Sequence, residues 1–422
     1  MKRLLLILLA HFVSFAAIGQ VSGNSSTDLI VPGNEVARAA ATDKITYYYP
    51  PGYFGLLNNQ LTSSRAQGMG FTTMNKSGIE HSFYNPASIA ATEEPFQVYF
   101  NYANGHSYRP KSRYYYLGTA YRINEKIAIG ASYFTYQDNN PLWTTIIGGA
   151  DFDTDKFTQT GISLVASYRL MQGLDLGLAA HFLRENAVNG NKTNSDFIPA
   201  VGVNYAKDLA IFSSEKIQNQ EIKVSGSLFN FILDNTTEQE YEGKISYNYL
   251  PIILRFGAAY GISIPLESGL AEGKKFFEGT TKALDLSLEI QYQDYLPGKN
   301  PVNTDHLYNG SFGVGSEAWF WDRLSLRLGY YTQKGPTGTE DNGDVWVTGN
   351  RSGFTWGYGA KIPTHQLTNK KLPFDVEVEF VTSSFMSTIN EKIYTSPAVF
   401  TENNFQFCFG LNLLWKNNFS SP

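Results

Sequence analysis

The sequence has little of what several protein classes need. It holds one cysteine, Cys408, which excludes an internal disulfide framework and a metal site built from cysteines alone. Charged residues make up only 17% of the 422 residues, the formal net charge is −5 and no long basic run occurs, so nucleic acid is not an expected partner. Beyond the N-terminus no segment approaches about 18 uninterrupted apolar residues, so no transmembrane helix is predicted.

Signatures of catalysis are also missing. An enzyme embedded in a membrane needs a nucleophile, a base and an orienting group at one height. The chain has no Gly-x-Ser-x-Gly element and no His-Glu-x-x-His pattern, and no metal-ligand spacing rises above chance. We therefore predict that the chain is not an enzyme and that it binds neither a metal nor another cofactor.

What the chain does have is a repeated alternation of apolar and polar residues. In the segment 374–380 the apolar positions are Phe374, Val376, Val378 and Phe380, and carboxylates occupy the positions between them. Because side chains alternate along a strand, such a segment has one apolar and one polar face. Aromatic residues reach 15% of the chain. Lipid outside and a polar lumen inside require this arrangement, so we predict an all-β fold, a transmembrane antiparallel β-barrel.

Fourteen strand candidates begin at residue 96. They are 96–103, 113–122, 127–136, 158–169, 174–185, 195–206, 221–231, 252–264, 283–295, 308–320, 324–332, 352–362, 374–384 and 405–415. An even count is typical of single-chain bacterial barrels. The connections 207–220 and 265–282 are long enough to hide a hairpin, so twelve or sixteen strands remain open.

The connections differ in length between the two ends of the predicted barrel. Those after strands two, four and ten are short (123–126, 170–173 and 321–323), and those after strands three, seven, nine, eleven and thirteen are long and polar. Short turns face the periplasm and long loops the exterior in barrels of this kind. Aromatic residues at the periplasmic strand ends are assigned to the membrane-interface belt: Trp319, Phe320, Trp321 and Trp415.

The N-terminus has the features of a secretory signal peptide. Lys2 and Arg3 precede an apolar stretch that ends at a small-x-small site, which predicts a signal peptide over 1–19 and cleavage before Gln20. A membrane anchor is the alternative. Residues 20–95 then form an N-terminal extension and a plug or hatch inside the lumen, and 96–422 form the barrel. The predicted location is the bacterial outer membrane, as an integral protein in contact with its lipids.

The polar strand faces carry charges that are predicted to line the lumen. They are Lys223, Arg255, Asp285, Glu289, Arg327, Lys361, Glu377 and Glu379. A network of interior ion pairs is the simpler interpretation, and a charged path for a polar solute is the alternative. Cys408 and His181 are also predicted to point inward.

Pro199 interrupts the sixth strand candidate near its outer end. Proline has no backbone N–H to donate to a strand ladder, so it bends the wall or leaves a gap in it. The strand could simply begin at Ala200 instead. The second interpretation is a lateral opening from the lumen to the bilayer.

Two short elements before the first strand resemble the N-terminal signature of the FadL/PorV-type outer-membrane barrels. Ser64-Arg-Ala-Gln-Gly-Met-Gly70 matches the first element of that superfamily, through Arg65, Ala66, Gly68, Met69 and Gly70. Phe83-Tyr-Asn-Pro-Ala-Ser-Ile-Ala90 contains the second, Asn85-Pro86-Ala87. The resemblance implies a fourteen-stranded barrel whose hatch moves to open a path. It makes these residues gating candidates: Arg65, Gly68, Gly70, Asn85, Pro86 and Ala87.

The resemblance supports two functions. The first is a FadL-like channel for passive uptake of small hydrophobic molecules, driven by the solute gradient. The second is a PorV-like accessory subunit of a type IX secretion and surface-attachment system, as in Bacteroidetes, whose long loops would bind a secretion-system protein. Long-chain fatty-acid transporters tend to have a more apolar lumen, so the carboxylates here count against a fatty acid as the solute.

Overall fold

The computed structural model describes most of the predicted wall and part of the predicted hatch. The described residues are 63–92, 94–106, 112–138, 157–186, 193–209, 211–212, 217, 219–231, 236–241, 244–249, 252–266, 280–296, 309–334, 337–339, 345–347, 350–364, 374–393 and 396–415. The predicted signal peptide 1–19 and the extension 20–45 lie outside these residues.

Fourteen strands close into an antiparallel barrel in which β1 pairs with both β2 and β18. The wall strands are β1 (Phe96–His106), β2 (Ser112–Arg122), β3 (Ile127–Asp138), β4 (Phe157–Met171), β5 (Leu174–Asn186), β6 (Thr193–Asp208), β7 (Asn219–Phe229), β10 (Ile252–Pro265), β11 (Lys282–Leu296), β12 (Asn309–Phe320), β13 (Leu324–Lys334), β16 (Asn350–Pro363), β17 (Phe374–Ile393) and β18 (Ser396–Trp415). Each neighbours the next wall strand along the chain, so the barrel is an up-and-down meander.

The predicted strand count is confirmed, and the alternatives of twelve and sixteen strands are wrong. Among the described residues, two additional hairpins lie outside the wall. They are β8 (Thr236–Tyr241) with β9 (Lys244–Tyr249), and β14 (Thr337–Thr339) with β15 (Val345–Val347). They lie in connections predicted to be extracellular, after β7 and β13.

The outer face of the wall is apolar because every second residue of each strand points away from the lumen. Leu178, Leu328 and Phe354 are 63%, 65% and 72% exposed, while their strand neighbours Ala179 and Arg327 are buried. At the short-turn end the rings of Phe96 and Phe374 each lie 4.9 Å from that of Trp415. An apolar band edged by aromatic rings is the exterior of a transmembrane barrel.

In the described residues before the wall there are three short helices, and all of their residues are buried. They are α1 (Ser64–Gly68), η1 (Ile79–His81) and η2 (Pro86–Ile89), the last two being single 3₁₀ turns. Within the described part of the chain, no helix is both long and apolar enough to cross a bilayer. Since α1 contacts β13, β16, β17 and β18 while η2 contacts β3 to β6, the segment 63–92 packs against inner wall on opposite arcs of the strand order.

Candidate functional site: the hatch and its seats

We use the name hatch for residues 63–92, whose short helices are fixed by local capping. The Ser63 hydroxyl accepts a hydrogen bond from Ala66 N (3.1 Å) at the start of α1, as an N-cap serine does. The Asn85 side chain accepts one from Ala87 N (3.1 Å), and Pro86 occupies the first position of η2, where a missing N–H costs nothing. Both sequence motifs are therefore helix starts.

The first motif rests on a patch of wall glycines. Gly70 has a φ of +67°, which favours glycine, and its N–H donates to Thr355 Oγ1 at 2.8 Å. A Cβ on Gly313, Gly315 or Gly329 would overlap the backbone of Met69 or Gly70. We call these three residues the glycine seat. Backbone-to-backbone contact of this kind leaves no room for any side chain.

Beside the glycine seat, Arg65 joins the hatch to two strands through ion pairs. Its guanidinium pairs with Glu289 on β11 and with Glu317 on β12, where Nε lies 2.9 Å from Glu317 Oε2. All three side chains are 4% exposed or less. Burying charged groups costs desolvation free energy, and attraction between hydrogen-bonded opposite charges offsets it only while every partner is present.

A second arginine extends the network along the wall. Arg327 on β13 donates to Glu317 Oε1 at 2.6 Å and pairs with Glu379 on β17 at 2.7 Å. The carboxylate of Glu379 also accepts from the Ser64 hydroxyl (2.6 Å), and the Tyr99 hydroxyl lies 2.9 Å from that of Ser64. The hatch start is thus held by β1, β11, β12, β13 and β17 together. We call Ser64, Arg65, Glu289, Glu317, Arg327 and Glu379 the charged clamp.

The second motif is held on the opposite arc by uncharged contacts. A Cβ on Gly177 of β5 would overlap Pro86 and Ala87, and one on Gly202 of β6 would overlap Asn85. Hydrogen bonds with serine and asparagine side chains of the wall complete this second seat. Ser167 donates to Pro86 O (2.5 Å), Ser227 donates to Tyr84 O (2.6 Å), and Asn85 Nδ2 donates to Asn204 Oδ1 (2.5 Å).

Beside this second seat, the hatch and the wall together form a buried aromatic cluster. Phe83 of the hatch lies 4.6 Å from the ring of His181, 5.4 Å from that of Phe134 and 5.6 Å from that of Phe229. His181 Nδ1 is 2.7 Å from Ser163 Oγ, so the histidine points into the lumen. Ile198 and Ala200 belong to the same apolar core. This arc of the lumen is therefore rich in aromatic side chains, while the other arc holds the charged clamp.

Glu80 and His81 are buried hatch residues whose pKa values leave the ordinary range. Burial raises the pKa of Glu80 to about 8, and the carboxylates of Glu379 and Glu377 add to that shift. Burial likewise lowers the pKa of His81 well below its ordinary value. Both groups are therefore neutral in the docked hatch near pH 7. Glu80 Oε2 accepts a hydrogen bond from Gln97 of β1 at 2.9 Å.

At Pro199 the ladder between β6 and β7 ends. The strand does not begin at Ala200 but runs from Thr193, and it pairs with β5 from Thr193 to Tyr205, including Pro199 with Ala180. Pairing with β7 reaches only Ala200, and Pro199 O then accepts from Asn230 N at 2.8 Å. In an antiparallel strand the N–H and the C=O of one residue point to the same neighbouring strand. The carbonyl of Pro199 faces the β7 side, so its missing N–H removes no hydrogen bond from the β5–β6 ladder. Among the described residues, β6 beyond Pro199 pairs with β5 alone.

The remaining predicted lumen charges occupy different surroundings. Arg255 is fully buried, donates to Gln293 Oε1 at 2.6 Å and lies over the rings of Tyr84 and Phe229. Asp285 is half-buried and pairs with Lys282 at 2.7 Å. Glu377 lies 4.0 Å from Arg327 and is the strand partner of Lys361. Lys223 pairs with Glu221 at 2.9 Å, both partly exposed.

One aromatic assignment is wrong. Trp319 shares the inward face of β12 with Glu317, and the Arg327 guanidinium lies 5.7 Å from its ring. Its side chain therefore covers the charged clamp and does not belong to the interface belt. Cys408 is fully buried, and its thiol donates to Asn101 Oδ1 at 3.0 Å.

Sequence reasoning missed the wall residues that receive the hatch. Glu317, Tyr99 and the wall glycines carry much of the contact but were not selected. The sequence did contain a signal for the glycine seat. Gly313 and Gly315 lie on the lumen-facing side of β12, and glycines at such positions mark a place where another backbone approaches closely. Within the described ranges no group of three or more His, Cys, Asp or Glu could hold a metal ion.

Comparison with known proteins gives likenesses to solved barrels only. No protein-family model matches the chain, and no curated protein matches its sequence. A FadL homologue from Pseudomonas aeruginosa has 11% identity and a TM-score of 0.46 over 84% of this chain and 98% of its own. The Pseudomonas putida toluene transporter TodX has 10% identity and a TM-score of 0.40 over 84% and 98%. LpxR from Salmonella typhimurium has 9% identity and a TM-score of 0.32 over 74% and 99%.

Proposed function

We propose that the chain is an outer-membrane channel for the passive uptake of small hydrophobic molecules. The observation that carries the proposal is the aromatic cluster, which begins at Phe83 of the hatch and ends at Phe229, where β7 stops beside Pro199. Apolar side chains thus extend from the hatch to the place where the wall ladder ends. Contact with these side chains would keep the surface of a small apolar solute away from water on its way through the lumen.

The hatch acts as the gate in this proposal. Its two seats leave no space beside Met69–Gly70 or Pro86–Ala87, so a solute passes only when part of the hatch leaves the wall. The seats differ in chemistry, because the charged clamp holds one and neutral hydrogen bonds hold the other. Moving the second seat breaks neutral hydrogen bonds and the contact of Tyr84 with Arg255 but none of the ion pairs of the charged clamp, so we assign the opening motion to residues 79–89 and the anchor to Ser64 and Arg65.

Pro199 marks the exit in this proposal. Because β7 ends at Phe229 and the following Asn230 has a φ of +59°, the outer part of β6 offers a passage between lumen and bilayer. The solute gradient supplies the driving force. The protein reaches the outer membrane after cleavage of the signal peptide, and its partners are the membrane lipids and the solute.

The secretion-partner function stays a prediction. It depends on long loops that would bind protein, and much of those loops lies outside the described residues. No described contact favours it over the channel.

A cross-link over the β6–β7 ladder tests the exit. Val201 and Leu228 are strand partners on the outer face just below Pro199. In cells that express Val201→Cys/Leu228→Cys on a Cys408→Ser background, a short bifunctional thiol reagent should slow uptake of a radiolabelled apolar solute. The matched pair Ala166→Cys/Leu178→Cys bridges β4 and β5 on the same face. Its cross-link should leave uptake unchanged, and equal loss or no loss for both pairs would contradict the proposal.

A further inference from the structure

The connection from β6 to β7 is long for the short-turn end, and part of it is fixed to the wall. Leu209 N donates to Gln220 O at 2.9 Å, which continues the ladder by one residue. The backbone N–H groups of Ile211 and Phe212 then both donate to Gln220 Oε1 at 2.9 Å. Gln220 Nε2 donates in return to Phe212 O at 2.6 Å. The side-chain amide of Gln220 thus supplies the backbone hydrogen bonds that a neighbouring strand supplies elsewhere in the wall.

The segment lies on the outside of the barrel. Gln220 shares its strand face with Val224, which is exposed on the outer wall. The Tyr260 hydroxyl, from the next strand β10, donates to Gln220 Oε1 at 2.5 Å, and the Phe212 ring lies 6.3 Å from that of Tyr260. After leaving β6 the chain therefore folds back over the outer face of β7 and reaches β10.

The height of the segment is that of the membrane boundary. Along the outer face of β6 the residues change from Val203 to Tyr205 to Lys207, all exposed, which is the order of hydrocarbon, interface and headgroup. Lys207 pairs with Ile222 and Ile222 with Tyr260, so contact with Tyr260 returns Phe212 to the level of Lys207.

Three apolar side chains at this height are only partly covered by the chain. Leu209, Ile211 and Phe212 are 39%, 55% and 54% exposed. Their arrangement in water would leave a contiguous apolar patch, which usually marks an interaction site. Their backbone N–H groups are satisfied, which lipid requires and water does not.

We propose that Leu209, Ile211 and Phe212, held by Gln220, form a foot that inserts into the interfacial layer of the bilayer at the short-turn end. The occupant of the apolar surface is the phospholipid of that leaflet. The foot would fix the depth of the barrel beside β6 and β7.

Collision rates of a nitroxide label test the foot in the full chain reconstituted in phosphatidylethanolamine–phosphatidylglycerol bilayers. The label is placed at Phe212→Cys on a Cys408→Ser background. Leu328→Cys on the outer wall is the lipid reference, and Glu125→Cys in the exposed turn 123–126 is the water reference. We expect the ratio of oxygen to nickel-chelate collisions at position 212 to exceed that at position 125 and to approach that at position 328.

A ratio equal to that at position 125 would overturn the proposal by placing the segment in water. Shielding from both reagents would also overturn it, because protein would then cover the surface. Gln220→Leu keeps the bulk and removes the hydrogen bonds, so it should shift the label at position 212 to the water ratio. Heat-modifiable migration on a gel checks that this variant still forms the barrel. An unchanged ratio in a folded Gln220→Leu barrel would contradict the role of Gln220.

Discussion

Gly329 shows at the scale of one residue how the hatch is seated. A Cβ there would overlap Gly70 N and the Met69 carbonyl carbon, so Gly329→Ala should push the hatch off the wall. We expect a loss of about 1–3 kcal/mol, as overpacking typically costs. Gly261→Ala is the control, because its Cβ meets nothing nearer than 3.8 Å. Urea unfolding in lipid vesicles measures both. Equal effects would mean that the glycine seat is not in contact with the hatch.

Glu317 holds two arginines at once, and its charge is the residue-scale test of the clamp. Glu317→Gln leaves Arg65 and Arg327 buried with one carboxylate fewer. Removing one partner of a buried pair costs about 3–5 kcal/mol. Glu221→Gln breaks the partly exposed pair with Lys223, and should cost no more than about 1 kcal/mol. Similar losses for both variants in the same unfolding assay would show that the clamp does not hold the hatch.

The hatch as an element should be sensitive to pH through Glu80. Its pKa is about 8 when the hatch is docked and 4.5 ordinarily, so between these two pH values the docked hatch binds more protons than the released hatch. Its stabilising contribution is complete below pH 4.5 and is lost as the pH rises to 8. His81, whose pKa is lowered in the docked hatch, opposes this trend only below its ordinary pKa of 6.5. Between pH 6.5 and 8 the docked hatch should therefore become less stable as the pH rises.

Protease cleavage within the hatch of the folded barrel measures this dependence. Cleavage should increase from pH 6.5 to 8 in the wild type, after correction for the protease's own pH profile. Glu80→Gln removes the titrating group and keeps the shape, so its cleavage should be level over that window. A wild-type rate that is constant or falls would contradict the assignment.

The elements of the wall could be predicted from the sequence because alternation is a local signal. All fourteen strands were found, since a residue such as Glu379 flanked by Val378 and Phe380 needs only its neighbours to define two faces. Partners across the lumen are not local. Glu317 meets Arg65 across 252 positions, and no period in the sequence encodes that distance. Trp319 was misassigned because a strand end alone does not say which face a ring takes.

At the scale of the whole molecule the lumen has two unlike arcs. The charged clamp occupies the arc of β11 to β17, and the aromatic cluster occupies the arc that ends at β6 and β7. The clamp fixes the hatch start, and the aromatic arc is where a solute would pass. A barrel filled in this way should conduct few ions in planar bilayers while the hatch is docked. Gly329→Ala should raise the conductance and Gly261→Ala should not.

The measurement that tests the central claim most directly compares two solutes in the same cells. Uptake of a small radiolabelled apolar compound and of a sugar of similar size would be followed with and without the protein in the outer membrane. The account predicts faster uptake of the apolar compound and no change for the sugar. Faster uptake of the sugar, or no change for either solute, would contradict a hatch-gated channel for hydrophobic molecules.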